Sequence, residues 1–333
     1  MKRVLLVVLI GVFVATTAFA SGEQEAAGMD DEQNYTFGTS GIGGVFFIVG
    51  AALTNLWNVE MGPDVVWSTE TSGGSTSNII WLSEGEIDLG LVSAGRIDAA
   101  RNGTGFFEDE GALDLSGVRA FALGHGNYSQ PVTLVDNSAS VARDLRGQRV
   151  SVGEPGHSAQ AYLEKYADAW GWVPEDEMTY EYLDGNAQLD ALLQGRIDAM
   201  WFAAGIGDPV ITEAFLTLDV KMLPFEEATR ETVTGQYPFH SRGTIPAGTY
   251  EGQTEDIPIL GETATILIHE SVPDDVAYDL VRILWENKEN GNLGTVHRAF
   301  NEFSLNPEIQ NITGLELHPG AKRYYEEIGI DVR

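Results

Sequence analysis

The phrase LSEGEIDLGLVSAG, Leu82 to Gly95, returns as LLQGRIDAMWFAAG, Leu192 to Gly205, with its Gly, its Ile-Asp and its final Ala-Gly in register. In each copy a helical run closes at Gly85 or Gly195, where a left-handed residue ends the helix without a Cβ clash. A tight turn then leads into Ile-Asp and a buried strand running to Gly95 or Gly205. The surroundings repeat as well. YTFGTS, VVWSTET and IDLGLVS read as strands, with GVFFIVGAALTNLWN and a Ser-capped SGGSTSNIIWLSEG as the helices between them. After VRAFALGHGN and PVTLVDN the grammar restarts, with RVSVGEPG, MTYEYL and IDAMWFAAG as strands and HSAQAYLEKYADAWG and NAQLDALLQG as helices. This alternation predicts a parallel sheet with helices on its faces. Written twice, it predicts two lobes of like topology; the competing reading is a chance recurrence of a common helix-to-strand junction. A length of 333 residues suits two domains.

The N-terminus has the pattern of an export signal. Lys2 and Arg3 precede an apolar run from Val4 to about Ala15, and Ala18 to Ala20 offer small residues at a cleavage spacing. Cleavage after Ala20 is the expectation, with an uncleaved anchor as the alternative, although the run is short for a membrane span. The acidic, aperiodic stretch at 21–34 reads as a flexible leader. With no cysteine in the chain, core burial has to hold the fold without disulfides.

The formal charge of −31 argues against nucleic acid and acidic membrane surfaces as partners, because phosphates need clustered Lys and Arg. An exported protein in salty surroundings tolerates such a surface through screening, and plain solubility explains it equally well.

Ligands of such sheets lie outside the carboxyl ends of the strands. Five loops there, TSGIGG, TSGGSTSN, SAGR, GEPGHS and AAGIGDP, are rich in Gly, Ser and Thr and free of lysine. They are suited to presenting backbone N–H groups and hydroxyls to an anion at helix N-termini. Ser75 and Asn78 stand one helical turn apart, both able to face a ligand, unless Ser75 only caps its helix. His157 and Ser158 open the corresponding helix, where His157 reads equally as a surface residue near the cap. Arg96 and Arg242 are the basic residues nearest the strand ends, either pairing a solute carboxylate or meeting a neighbouring acid.

Catalytic patterns do not complete themselves. GTSGIGG and GHSAQ miss the G-x-S-x-G order, GEPGHSAQ lacks the lysine of a phosphate loop, and GIGGVF breaks off before G-x-G-x-x-G. The six histidines make neither H-x-x-x-H nor H-E-x-x-H. No catalytic residue, metal ligand or cofactor is assigned, and the reading is a binding protein rather than an enzyme.

FGTSGIGGVFFIVGAAL, TETSGGSTSNIIWLSEGEIDLGLV, DLRGQRVSVGEPGHSA, LLQGRIDAMWFAAG, TIPAGTYEGQTEDI and LHPGAKRYYEEIG resemble, in order, the blocks of the TAXI family, solute receptors of one class of tripartite ATP-independent (TRAP) transporters. The resemblance runs from Phe37 to Gly329. It implies an α/β type II periplasmic-binding-protein fold, two lobes with a hinge and an interlobe cleft that closes on solute. It further implies an extracytoplasmic location, docking on an ion-driven TRAP-type permease, and a small organic anion such as glutamate, glutamine or 2-oxoglutarate. By position, the ligand-binding residues would be Thr39, Ser40, Gly43, Phe47, Ser75, Asn78, Ser93, Tyr128, His157, Ser158, Gly205 and Asp208. The chain departs from the family's usual Tyr-Tyr-Pro at Phe46-Phe47-Ile48, and from its Ser-Gly-Ser or Ser-Gly-Thr at Gly156-His157-Ser158. Expected boundaries are 35–127 for the first part of lobe 1, 128–245 for lobe 2, and 246–333 for the return crossing and the C-terminal helices on lobe 1. An exported enzyme or a sensory ligand-binding module on the same fold are the alternative functions.

Overall fold

The alternating elements assemble into one mixed sheet. The computed structural model describes residues 33–173, 177–237 and 239–332, so the expected signal peptide and the leader up to residue 32 lie outside the described residues. Gln33 and Asn34, expected at the end of the leader, open the first strand.

β1 (Gln33–Gly38), β2 (Val65–Glu70) and β3 (Leu89–Ser93) form a parallel triplet in the order β2-β1-β3. β5 (Arg149–Ser151), β6 (Thr179–Glu181) and β7 (Ala199–Ala204) form a second, in the order β7-β5-β6. Between the triplets run two long antiparallel strands, β4 (Val118–Leu134) and β10 (Ile257–His269), giving the path β2-β1-β3-β10-β4-β7-β5-β6. β8 (Val220–Met222) lies on β4 and β9 (His240–Ile245) on β10. The sheet is therefore mixed where the alternation predicted a parallel one, because its two central strands return against their neighbours.

The repeated phrase has the same structural task in both triplets. α2 (Ser75–Glu84) ends at Gly85, with φ 71°, and α5 (Gly185–Leu193) gives way to Gly195, with φ 63°. Ile87 and Ile197 are then buried. Asp88 accepts the Thr36 N–H at 2.8 Å, while its own N–H donates to the Thr36 carbonyl at 3.1 Å. Asp198 accepts the Arg149 N–H at 2.8 Å and donates to the Arg149 carbonyl at 2.8 Å. Each aspartate thus locks the third strand of its triplet onto the first. The copies part at their ends: β3 stops at Ser93, and Ala94 and Gly95, expected in the strand, open α3 (Ala94–Asn102).

VRAFALGHGN and PVTLVDN, read as separate segments, form the single 17-residue strand β4. Pro131 stands at the handover on that edge, past the last β10 pair at Leu260–Ser129 and before the first β8 pair at Val132–Met222, where its carbonyl accepts the Leu223 N–H at 2.8 Å. The apolar clusters follow the crossing. One joins residues between Tyr35 and Leu123 to residues between Ala264 and Val332, with Trp57 donating to the Leu280 carbonyl at 3.1 Å. The others lie within Val132 to Leu260 and include Tyr166, Trp201 and Phe225. Trp57 and Trp201 are wholly buried in their respective clusters, each side removing well over 150 Å² of aromatic surface from water.

The remaining helices are α1 (Val45–Glu60), α4 (Ser158–Trp170), α6 (Pro209–Thr217), α7 (Glu227–Gln236), α8 (Asp274–Glu289), α9 (Asn292–Val296), α10 (Ile309–Thr313) and α11 (Pro319–Glu327). The last four pack on the β1-β2-β3 side through Leu280, Leu293, Ile309 and Tyr325. Among the described residues no helix is long and apolar enough to cross a membrane.

Candidate functional site

The loops after β1, β2, β5 and β7 converge from both halves of the sheet on a cavity of about 510 Å³. Ser40 to Phe46 and Ser72 to Ser75 border it from one half; Gly153, Glu154, His157, Ser158, Phe202 and Asp208 border it from the other. Among the described residues no lysine or arginine lines it, whereas the exposed carboxylates Glu154, Asp184 and Glu213 do.

The helix ends at the cavity differ between the halves. α1 begins at Gly44 and α2 at Gly74, and neither has a side-chain cap. Their first-turn N–H groups therefore point at the cavity with the positive end of the helix dipole behind them. Gly74 sits at φ 95° and ψ −150°, a conformation that favours glycine. The facing helices are capped. His157 Nδ1 accepts the Ala159 N–H at 3.2 Å at the start of α4, and Asp208 Oδ1 accepts the Val210 N–H at 2.9 Å at the start of α6. Burial, and secondarily the charge of Arg96, keeps the His157 imidazole neutral down to about 4, and its ring stacks on Phe202 at 5.2 Å. Burial pushes the Asp208 carboxyl up to about 7.

A buried hydrogen-bonded cluster forms the partition behind the cavity. Ser75 Oγ accepts the Ser93 N–H at 3.0 Å and lies 3.3 Å from Ser93 Oγ. Asn127 donates to Ser93 Oγ at 3.1 Å and to the Tyr162 hydroxyl at 3.2 Å, bringing α4 into the same cluster. Thr76 on α2 donates to the Gly156 carbonyl at 2.9 Å, a direct bond between a helix of one half and a loop of the other.

The sequence from Phe37 through Gly329 matches the NMT1-like family. The chain belongs to that family. Its fold is similar to that of the alkanesulfonate-binding protein SsuA from Xanthomonas axonopodis pv. citri, bound to MOPS, with a TM-score of 0.51 and 15% identity over 88% of this chain and 83% of that one. A protein from Bordetella bronchiseptica RB50 is similar at a TM-score of 0.50 and 13% identity, covering 89% of both chains. The periplasmic aliphatic sulphonate binding protein SsuA from Escherichia coli follows at 0.49 and 14%, covering 90% of this chain and 94% of that. With the sheet order above, the likeness to the Xanthomonas protein shows the α/β periplasmic-binding-protein fold.

Of the twelve residues singled out in the sequence of this NMT1-like chain, seven border the cavity: Ser40, Gly43, Ser75, His157, Ser158, Gly205 and Asp208. Ser75 does not cap its helix; it is the first helical residue, and its hydroxyl turns to Ser93. Ser93 stands in the partition. Thr39 is wholly buried and bonds the Glu70 carbonyl at 2.8 Å. Asn78 is wholly buried too, one turn along from Ser75 but directed into the sheet, where it donates to the carbonyls of Gly38, Thr39 and Leu91. Phe47 lies outside the cavity lining, which its neighbour Phe46 joins. Tyr128 turns away to Glu302 at 3.5 Å, and burial followed by that carboxylate raises its hydroxyl to about 12. Ser72, Asn127 and Phe202 border the cavity without having been singled out. Ser72 stands in TSGGSTSN, a loop whose composition pointed to the site, whereas nothing in VRAFALGHGN or in the strand pattern of IDAMWFAAG set Asn127 or Phe202 apart.

Proposed function

We propose that this chain is an extracytoplasmic solute receptor. It would capture a small organic solute between two lobes and deliver it to a membrane permease, of the TRAP type that the sequence resemblance implies. The observation that carries this reading is the cavity itself. Loops from both halves of the sheet close on it, uncapped helix N-termini face it, and its size suits an amino or organic acid. The lobes would be residues 33 to about 124 with about 264 to 332, and the intervening chain, hinged on β4 and β10. Family membership, the signal-peptide pattern and the similarity to binding proteins for alkanesulfonates support the same reading.

Closure follows from differential contact. A solute held by α1 and α2 alone binds open and closed forms alike; one that also touches the His157–Ser158 side favours the closed form by that extra interaction. The Thr76–Gly156 bond would form only when the lobes meet. A binding role also suits His157 better than a catalytic one, since its Nδ1 caps α4 and its ring stacks on Phe202.

The test is the thermal midpoint of the protein from Ser21, refolded to strip co-purified solute, against L-glutamate, L-glutamine, 2-oxoglutarate, C4-dicarboxylates, neutral amino acids and short fatty acids. A saturable rise of a size set by concentration over Kd is expected for one class. No response from folded protein to any of them refutes an organic-acid or amino-acid receptor.

A further inference from the structure

Four of the five glycine- and serine-rich loops meet at the cavity described above. The fifth, SAGR, faces another. Beyond the Ser93–Asn127–Tyr162 partition lies a second cavity of about 580 Å³. Gly95, Arg96 and Ala99 of α3 and the Thr104–Asp109 segment border it on one side. Gln160 to Lys165 of α4, with Phe239 and Glu262, border it on the other. It too lies between groups from both halves of the sheet.

Arg96 is the unusual group in this space. Its residue is 4% exposed, and its Nη2 is buried with no hydrogen-bond partner. Arg242, the other arginine near a strand end, pairs with Glu227 at 2.6 Å. Arg96 instead has its guanidinium over the Phe106 ring, 4.9 Å from the centroid. Glu262, the nearest buried acid, directs Oε2 to the Gly95 N–H at 2.8 Å, at the start of α3. A buried guanidinium holds its charge regardless of pH near neutrality and presents a planar fork of donors that matches two coplanar oxygens. Buried donors left without partners are rare in folded proteins, because the lost hydration is not recovered.

We propose that this second cavity is a binding site for a small monocarboxylate, with Arg96 as the group that receives the carboxylate. The surroundings set the charge of the occupant. Four acids, Glu262, Glu164, Glu108 and Asp109, already stand against Arg96 and Lys165, so the lining as a whole is net negative. Only the unpartnered guanidinium favours a first negative charge on the occupant, and the acids repel a second, which excludes a dicarboxylate, sulfate or phosphate dianion. Phe106, Phe239, Ala99 and Ala161 leave room for an apolar or neutral body. Because α3 and α4 come from opposite halves, an occupant would bridge them independently of the first cavity. The site does not depend on the receptor reading, and the two can fail separately.

The experiment follows the Arg96 Nε–H resonance in protein labelled with ¹⁵N, titrated with sodium pyruvate and sodium butyrate against sodium chloride at equal ionic strength. Arg96→Gln assigns the resonance. A saturating shift with a carboxylate and none with chloride is expected. Arg96→Lys, which keeps the charge but not the fork, should weaken carboxylate binding at least tenfold by calorimetry. Ala99→Phe, which fills the cavity and leaves Arg96 in place, should abolish it. An equal response to chloride, no response to either carboxylate, or undiminished binding in folded Ala99→Phe would each overturn the proposal. A thermal-shift failure with the full solute panel, alongside a saturating Arg96 shift, would remove the receptor reading and leave this site standing.

Discussion

Replacing Asn78 by alanine separates a structural role from a ligand-contacting one. Asn78 is wholly buried, and its Nδ2 donates to the carbonyls of Gly38, Thr39 and Leu91 at 3.2, 2.8 and 2.8 Å. Its Oδ1 accepts from Ser72 Oγ at 2.7 Å. One side chain thereby ties the ends of β1 and β3 to the loop that opens α2. Alanine leaves the Leu91 carbonyl without this donor, while the Thr39 carbonyl keeps the Ser72 hydroxyl at 3.0 Å. Each orphaned buried acceptor costs about 1–3 kcal/mol, and the space left by the amide adds about 1 kcal/mol. Asn78→Ala should therefore destabilise by about 2–4 kcal/mol. With a urea m-value of about 3 kcal/mol/M, the midpoint falls by roughly 0.7–1.3 M. Tryptophan fluorescence reports it, since Trp57 and Trp67 lie in the same cluster. Asn78→Asp should do at least as much damage, because a carboxylate cannot donate to the carbonyls it would face. A midpoint moved by less than about 0.3 M, with solute affinity lost, would refute the structural assignment and return Asn78 to the ligand.

Two further perturbations probe the crossing strands. His125 on β4 is fully buried between Phe46 and Phe303 with both ring nitrogens unpartnered, and burial first, then the charge of His297, holds it neutral to about 3. Between pH 6.5 and 3 the unfolded chain takes a proton that the native chain refuses, so this residue's contribution to stability falls as pH drops through that window. His125→Leu should gain on the wild type by about 1.4 kcal/mol per pH unit below 6.5, and a difference in urea stability that stays constant from pH 7.5 to 4.5 refutes it. Gly261 on β10 pairs with Tyr128, and a Cβ there would meet the backbone of Asn127 and Tyr128. Gly261→Ala should cost about 1–3 kcal/mol, and an unchanged thermal midpoint would show that the strands part more easily than their packing implies.

The doubled α/β grammar was legible because its signals are local: helix-ending glycines, alternating apolar strands and an Ile-Asp turn each depend on neighbours in the chain. Which loops meet was legible for the same reason, as the carboxyl ends of parallel strands lie on one edge. Long-range pairing was less so. Nothing local marks β4 and β10 as antiparallel partners, and Pro131 divides a run that the fold keeps whole because the proline lies past the last β10 pair. Side-chain roles inside the loops were hardest. Ser75 occupies a position that suits a cap, yet Gly74 caps the helix backbone and frees the hydroxyl for Ser93, a partner 18 residues away. Helical spacing placed Asn78 beside Ser75, but the burial of β1 and β3 decides that its amide faces inward.

The repeated phrase accounts for the matching third strands of the two triplets and leaves the chemistry to the places where its copies diverge. Asp88 and Asp198 perform one task twice, each fastening a third strand to a first. Past that clamp the copies separate. After β3 the chain turns straight into α3, bringing Gly95 to Glu262 and carrying Arg96 into the second cavity; after β7 it passes Gly205 and reaches α6 only at Asp208. The helix starts diverge as well, glycine alone at α1 and α2, His157 and Asp208 at α4 and α6. A symmetric frame with unlike ends makes the first cavity polar along one direction, with free N–H groups on one side and a neutral imidazole and a buried carboxyl on the other. On the proposed receptor reading, such a cavity would orient an asymmetric solute before any closing motion. Selectivity would then rest on few residues, because only those that differ between the copies can tell one end of a ligand from the other.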